Sequence, residues 1–242
     1  MRRPNGSFGM IASLAMYPFA SLQPHYKQLW TAVHARLGYG PTHLDWNRSH
    51  LEACTQSDLL LGQTCGWPLV TTFAQQLRVV GVFDLDLPSA SYGTYRSVLI
   101  ARRGDRARSR YAINGMESLS GCISLRAAVG DISEAVHTGS HLASCQAVAD
   151  GLADLASIDA MSWVVIGAEN PHVADALECV GHGPRVPCLP LVTAMAEAVE
   201  PLRLALRQVT TDPQMVSTCR LLRIRGFFDR TIDDYLPLLD LA

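Results

Sequence analysis

Short apolar runs alternate along the first part of the chain with segments whose apolar residues recur every three or four positions. The runs have the length and punctuation of buried parallel strands, and they cover residues 11–16, 59–64 and 79–83. The periodic segments predict helices over residues 24–37, from a cap at Asn47 to residue 54, and over residues 68–76. This alternation predicts a parallel sheet covered by helices, with ligands beyond the carboxyl ends of its strands, where Tyr17 and Trp67 lie.

A second alternation of strands and helices follows over residues 96–187. Strand-like runs cover residues 95–101, 111–114, 136–138 and 155–158. Helices are predicted from the segment 115–121 to about residue 129, from His141 to about Ala149, and from Asn170-Pro171 onward, with Asn as cap and Pro at the first helical position.

The last part of the chain is too short to form a domain of its own. It holds a strand at Leu191-Val192 and helices that begin near Pro201 and at Asp212-Pro213. We therefore expect it to pack on the first part, with crossings near Tyr95 and near residues 187–190. The predicted class is α/β with two lobes, each a mostly parallel sheet flanked by helices: lobe 1 is 1–95 and 188–242, and lobe 2 is 96–187.

Composition excludes several classes of protein. The 242 residues are 48% hydrophobic and 17% charged, which suits a substantial core rather than disorder. A formal net charge of -2 favours neither nucleic-acid binding nor a polybasic membrane surface. Seven cysteines without C-x-x-C spacing are typical of buried thiols, and the eight histidines lack the spacing of metal ligands, so we expect no metal and no cofactor.

The beginning of the chain superficially resembles an export signal. Arg2 and Arg3 precede an apolar run over residues 10–20. However, Tyr17-Pro18 interrupts the run, and no clean cleavage site of small residues follows it. We interpret the run as the first strand, so we expect either a cytoplasmic protein or a leader that this sequence does not include.

Two segments combine hydroxyl residues and glycine at predicted helix starts. They are Ser118-Leu119-Ser120-Gly121 and Thr138-Gly139-Ser140-His141. A helix N-terminus offers unpaired amide N–H groups and the positive end of a dipole, serine adds donors, and glycine lets an anion approach closely. Each segment alone is also typical of an ordinary helix cap, with the histidine facing solvent. Because both follow strand-like runs of one lobe, both are expected to face one cleft and bind an anion there.

Other candidate residues have two readings each. Asp159, at the end of a strand, could meet a cationic group or accept a hydrogen bond from a protonated phosphate, or could cap a turn. Tyr17, Trp67 and Tyr95 could cover a ligand with their rings or simply pack, and for Tyr92 packing is the favoured reading. Cys65 could be a nucleophile with a pKa lowered by a helix dipole, although no histidine lies near it in sequence to act as its base.

Several stretches occur in an order shared with one known family. They are residues 11–17, residues 59–68, Ser118-x-Ser120-Gly121, Thr138-Gly139-Ser140-His141 with the following residues 147–159, and residues 187–193. On these stretches the chain resembles the phosphate/phosphonate ABC-transporter substrate-binding proteins. Leu119 departs from the family pattern, in which a hydroxyl residue is common at that position.

The resemblance implies a class II periplasmic-binding-protein fold with a ligand in the cleft between two lobes. It implies that the oxyanion is held by Ser118, Ser120, Gly121 and His141, that Asp159 faces the cleft, and that first-lobe contacts come from Tyr17, Gln63 and Trp67. The function implied is capture of a small phosphate- or phosphonate-like anion by a periplasmic monomer that serves an ABC permease. The alternatives are a cytoplasmic ligand sensor on the same fold and an enzyme that uses Cys65 or His141.

Overall fold

The computed structural model describes residues 9–241, so Arg2 and Arg3 lie outside the described residues. Contacts group the chain into two compact units. Unit 1 comprises the described residues up to Thr64, Thr72–Phe83 and Leu189–Ile232. Unit 2 comprises Cys65–Thr71, Asp84–Cys188 and the described residues from Asp233 onward. This grouping differs from the sequence-based division, which assigned the segment around Trp67 and the C-terminal residues to lobe 1.

The strands and helices are short and alternate along the chain. The strands are β1 (Ile11–Ser13), β2 (Leu59–Gln63), β3 (Arg78–Leu85), β4 (Thr94–Tyr95), β5 (Val98–Arg102), β6 (Tyr111–Ile113), β7 (Val136–His137), β8 (Leu155–Ile158), β9 (Leu177–His182), β10 (Val186–Pro187), β11 (Leu191–Thr193) and β12 (Ile224–Asp229). The α-helices are α1 (Gln23–Leu37), α2 (His50–Cys54), α3 (Gly66–Pro68), α4 (Ser124–Val129), α5 (His141–Ala149), α6 (Ala160–Glu169), α7 (Pro171–Ala174), α8 (Val199–Thr211) and α9 (Val216–Leu221). π-helical turns cover Leu69–Phe73 and Leu119–Ile123, and 3₁₀ turns cover Ala196–Ala198, Pro213–Met215, Ile232–Asp234 and Leu236–Leu241.

Unit 1 is built on a five-stranded sheet with the order β1-β2-β11-β3-β12. β1 and β2 are parallel, whereas β11 runs antiparallel to both β2 and β3. The predicted periodicity of the first helix is observed, because α1 buries Tyr26, Leu29, Trp30 and Val33. This helix ends at Gly38, whose φ of 74° is a conformation that glycine adopts without strain.

Unit 2 is built on a second five-stranded sheet, with the order β7-β6-β8-β5-β9, and a small antiparallel pair of β4 and β10. β6 is parallel to β7 and to β8, and β5 is antiparallel to β8 and β9. The predicted two-lobe α/β class is confirmed, but the sheets are mixed rather than mostly parallel. β5 and β11 are each the first strand of their sheet after the chain changes units, so neither is reached by the strand–helix–strand crossover that enforces parallel pairing.

Local details differ from the sequence-based prediction at several points. The cap of α2 is Ser49 and not Asn47, because Ser49 and Glu52 form a reciprocal capping box. The helix predicted over residues 68–76 is α3 followed by a π-turn. α6, β9 and β12 had no counterpart in the prediction. Over residues 9–241, none of the helices combines the length and apolar character required to cross a bilayer.

Candidate functional site

Three neighbouring strands of unit 2 each lead into the beginning of a helix. β6 pairs in parallel with β7 on one side and β8 on the other, so the carboxyl ends of all three lie at one edge of the sheet. Ser118, Ser140 and Asp159 are the N-cap residues of the helical segments that follow these strands. This edge therefore collects three helix N-termini with their positive dipole ends.

The first of these helices starts with a π-turn. Ser118 Oγ accepts a hydrogen bond from the Gly121 N–H at 3.0 Å, so the amide of Gly121 is already used by the cap. The Leu119 N–H donates to Cys65 Sγ at 3.3 Å. Among the described residues, this leaves the amide of Ser120 as the donor of the turn without a partner.

Gly121 lies directly beneath the side chain of Asn114, which follows β6. A Cβ at position 121 would lie 1.7 Å from Asn114 Oδ1 and 3.1 Å from Ser118 Oγ. The Asn114 Oδ1 atom is buried and accepts no hydrogen bond from the described residues. A side chain at position 121 would require Asn114 or the turn to move. Sequence reasoning missed Asn114, because its place beside Gly121 depends on the path of the intervening turn.

The second helix start contacts the first through side chains. Ser120 Oγ and His141 Nε2 are 3.2 Å apart, although 21 residues separate them in sequence. Ser140 is used as a cap, since its Oγ accepts a hydrogen bond from the Ala143 N–H at 3.1 Å. Gly139, with φ of 83°, makes the turn that brings the chain from β7 into this cap. The two predicted helix starts thus meet, and the contact is made by the residues that do not cap.

His141 has an environment that favours the neutral imidazole. Burial lowers its pKa, and the nearby Asp159 carboxylate raises it by a smaller amount. The Nδ1 atom is buried and has no hydrogen-bond partner among the described residues. A neutral imidazole donates from one ring nitrogen and accepts at the other, so the tautomer decides whether Nε2 donates to Ser120 or accepts from it.

Asp159 and Tyr95 are buried neighbours at this site. Asp159 is buried and caps α6, accepting a hydrogen bond from the Ser162 N–H at 2.9 Å. The cap that the sequence offered as one reading of Asp159 is therefore present. Tyr95 is also buried, and its pKa is raised well above the usual value by burial first and then by the Asp159 carboxylate. Its phenol therefore stays protonated beside that carboxylate.

Cys65 is buried at the start of α3 and does not have the environment of a nucleophile. Burial raises the pKa of its thiol, and the amide N–H groups of Leu119 and Trp67 lower it by smaller amounts. The expectation that a helix dipole lowers this pKa is wrong, because loss of hydration outweighs the dipole.

The other site residues predicted from the sequence lie in both units. Tyr17 and Gln63 belong to unit 1, where both are buried and Gln63 Oε1 has no hydrogen-bond partner among the described residues. Trp67 belongs to unit 2 and is partly exposed. The packing role favoured for Tyr92 is wrong, since this residue is 80% exposed and has a positive φ of 50°.

Known proteins share the fold and the family pattern of this chain. A family model described as ABC transporter, phosphonate, periplasmic substrate-binding protein matches residues 68–235. No curated protein matches the chain.

Solved structures match over nearly the whole length. A binding protein component of an ABC phosphonate transporter from Pseudomonas aeruginosa aligns with TM-score 0.76 and 15% identity, covering 96% of this chain and 85% of that one. PhnD1 from Prochlorococcus marinus, in complex with methylphosphonate, aligns with TM-score 0.76 and 14% identity over 96% of both chains. XAC2383 from Xanthomonas citri, bound to ATP, aligns with TM-score 0.65 and 15% identity over 90% of this chain and 92% of that one.

Proposed function

Because the chain belongs to the family of periplasmic substrate-binding proteins of phosphonate ABC transporters, we propose that it captures a small tetrahedral oxyanion of the phosphate or phosphonate type. The contact between Ser120 and His141 carries this proposal. It joins two helix N-termini by hydroxyl and imidazole groups that are not used as caps. An anion there meets positive dipole ends without requiring a lysine or arginine.

The proposed donors are few and directed. Ser120 offers its Oγ and its amide, and α5 offers the amides of His141 and Leu142 in its first turn, since the cap takes the amide of Ala143. Hydrogen bonds to charged groups contribute about 1.5–3 kcal/mol each. Micromolar binding requires about 8.2 kcal/mol, so several of these bonds are needed, together with enough to offset the cost of immobilising the ligand.

Asp159 is proposed to select the ionisation state of the ligand. A buried carboxylate repels a fully ionised anion but accepts a hydrogen bond from a protonated oxygen on phosphorus. The proposed ligand therefore keeps one proton in the site, or carries a cationic group that contacts Asp159. The methylphosphonate held by PhnD1 has the chemistry of the first kind, and supports phosphonates as probes.

The proposal is tested by calorimetric titration with phosphate, phosphite, methylphosphonate, aminoethylphosphonate and sulfate. We expect saturable binding of at least one phosphorus oxyanion and a loss of about ten-fold or more in affinity in Ser120→Ala. Ser133→Ala, which changes a serine of an exposed turn in the same unit, is the matched control and should bind as the wild type does. A folded wild-type protein that responds to none of the five anions contradicts the proposal.

The remaining parts of the proposal follow from the family. We propose that the protein acts in the periplasm as a monomer and presents its loaded form to an ABC permease. Osmotic-shock release from cells that express the full gene tests the location, and light scattering tests the monomer. Hydrolysis or transfer chemistry at Cys65 is disfavoured, because the raised pKa of the buried thiol keeps it protonated.

A further inference from the structure

We infer that Cys65 is a positioning residue for the helix turn that offers Ser120 to the ligand, an inference that rests on the proposed function. Its Sγ accepts a hydrogen bond from the Leu119 N–H at 3.3 Å. Both residues are buried, with 7% of Cys65 and 1% of Leu119 exposed. Leu119 immediately precedes Ser120, so the sulfur holds the peptide just before the one that carries the proposed donor amide of Ser120.

The residue after Cys65 fixes the same leucine from a second direction. A Cβ added to Gly66 would lie 3.2 Å from Leu119 Cδ2, which places the glycine backbone in close contact with the leucine side chain. Cys65 thus holds the amide of Leu119, while Gly66 limits the position of its side chain. Together the two contacts leave the first residue of the π-turn little freedom to move.

The C-terminal segment supports Gly66 in turn. The same added Cβ would lie 2.9 Å from Leu238 Cδ1 and 3.3 Å from Tyr235 Cδ1. Tyr235 is fully buried, and its hydroxyl donates a hydrogen bond to the Cys188 carbonyl at 2.8 Å. The C-terminal segment therefore packs on Gly66, which in turn contacts the side chain of Leu119.

A thiol suits this position because of its charge and its reach. Burial keeps the sulfur protonated, so the acceptor adds no negative charge beside the proposed anion. Sulfur also bridges a longer donor–acceptor distance than oxygen, for which about 2.9–3.0 Å is usual. A serine at position 65 would keep an acceptor but would have to draw the turn closer.

The test compares Cys65→Ala and Cys65→Ser with Cys54→Ser, a change of a buried cysteine of unit 1 that serves as control. Calorimetry with inorganic phosphate and with methylphosphonate measures affinity, and NMR hydrogen exchange measures protection of the Leu119 amide. In Cys65→Ala we expect affinity to fall about ten-fold and the Leu119 amide to exchange at least about ten-fold faster, because the amide loses its partner. Cys65→Ser should recover most of both, and Cys54→Ser should match the wild type.

Two results have distinct meanings. Wild-type affinity in Cys65→Ala, in a protein that does bind phosphate or methylphosphonate, overturns the positioning role and leaves the proposed function intact. A wild-type protein that binds neither probe removes the proposed function and this inference with it. If Cys65→Ala does not fold, Cys65→Ser is the deciding variant. A Leu119 amide that is as protected as in the wild type, with affinity within about three-fold, supports the inference. An unprotected Leu119 amide with unchanged affinity overturns it.

Discussion

Replacing Gly121 by alanine should destabilise unit 2 through one identifiable clash. The new methyl group would lie 1.7 Å from Asn114 Oδ1 and 2.8 Å from Asn114 Cγ, distances at which atoms overlap. The backbone of Gly121 is not in the positive-φ region, so the penalty is steric and not conformational. Either the side chain of Asn114 rotates away or the π-turn moves.

The size of the penalty follows from the neighbours. The Asn114 Oδ1 atom accepts no hydrogen bond from the described residues, so rotating it breaks none of theirs and costs about 0.5–1.5 kcal/mol in rotamer energy. Ser118 Oγ remains 3.1 Å from the methyl group and is held there by its bond to the Gly121 N–H. Together these contacts place the loss in the range of about 1–3 kcal/mol that is typical of overpacking.

The assay is urea unfolding of Gly121→Ala, Asn114→Ala and the double variant. Asn114→Ala alone should change the free energy of unfolding by less than about 1 kcal/mol. In the double variant the clash with Asn114 is absent, so the loss caused by Gly121→Ala should shrink by about 1 kcal/mol or more. Gly167→Ala is the control, because nothing lies within 4 Å of a Cβ at this position of α6 and alanine favours helix by about 0.5–1 kcal/mol. Strictly additive losses in the double variant would refute the reasoning.

Three further changes test the electrostatics of unit 2. His141 has a pKa below its usual value of 6.5, so the unfolded chain binds this proton more readily than the folded chain does. Stability should therefore fall as pH drops through about 6.5. His141→Gln should remove this part of the pH dependence of urea unfolding. The pKa of Asp154 is lowered to about 2, first by its hydrogen bond with Arg110. The stability that Asp154 contributes to the fold should therefore be complete above pH 3.8 and should disappear as pH falls from 3.8 towards 2. Acid unfolding of Asp154→Asn should not show this loss. Asp159→Asn keeps an N-cap acceptor for α6 but removes the charge. The affinity for sulfate, which carries no proton, should therefore rise by about ten-fold in calorimetry. Unchanged sulfate binding contradicts the proposed selection by charge.

The sequence predicts elements well where the pattern is local. β8 begins and ends at the predicted residues, and α1 ends at the predicted Leu37. The sheet order is less accessible, because β5 and β11 insert between strands that lie far away in sequence. β9 and β12 are the last strands of their sheets, at the edge, and their partly exposed residues lack a continuous apolar run.

The candidate site follows the same division between local and non-local information. Gly-Ser motifs mark the helix starts, and the parallel pairing of β6 with β7 brings them to one edge. No local pattern reveals that Cys65 contacts the first of these starts, since 54 residues separate the sulfur from the amide that it binds. Its burial, which reverses the expected shift of its pKa, is likewise a property of the packed unit.

Capping and the proposed ligand binding, which the sequence presents as competing interpretations of the same motifs, fall on different residues. Ser118 and Ser140 each bind the amide three residues ahead, a bond that needs only a helix and forms whatever the rest of the chain does. Ser120 and His141 take no part in those caps and contact each other, which requires two strands to pair in parallel with their helices on the same edge. The number of amides at the helix starts therefore overstates the binding capacity of this edge, because each cap removes one. The ligand affinity proposed for this chain should depend on Ser120 and His141, whereas its helix stability should depend on Ser118 and Ser140.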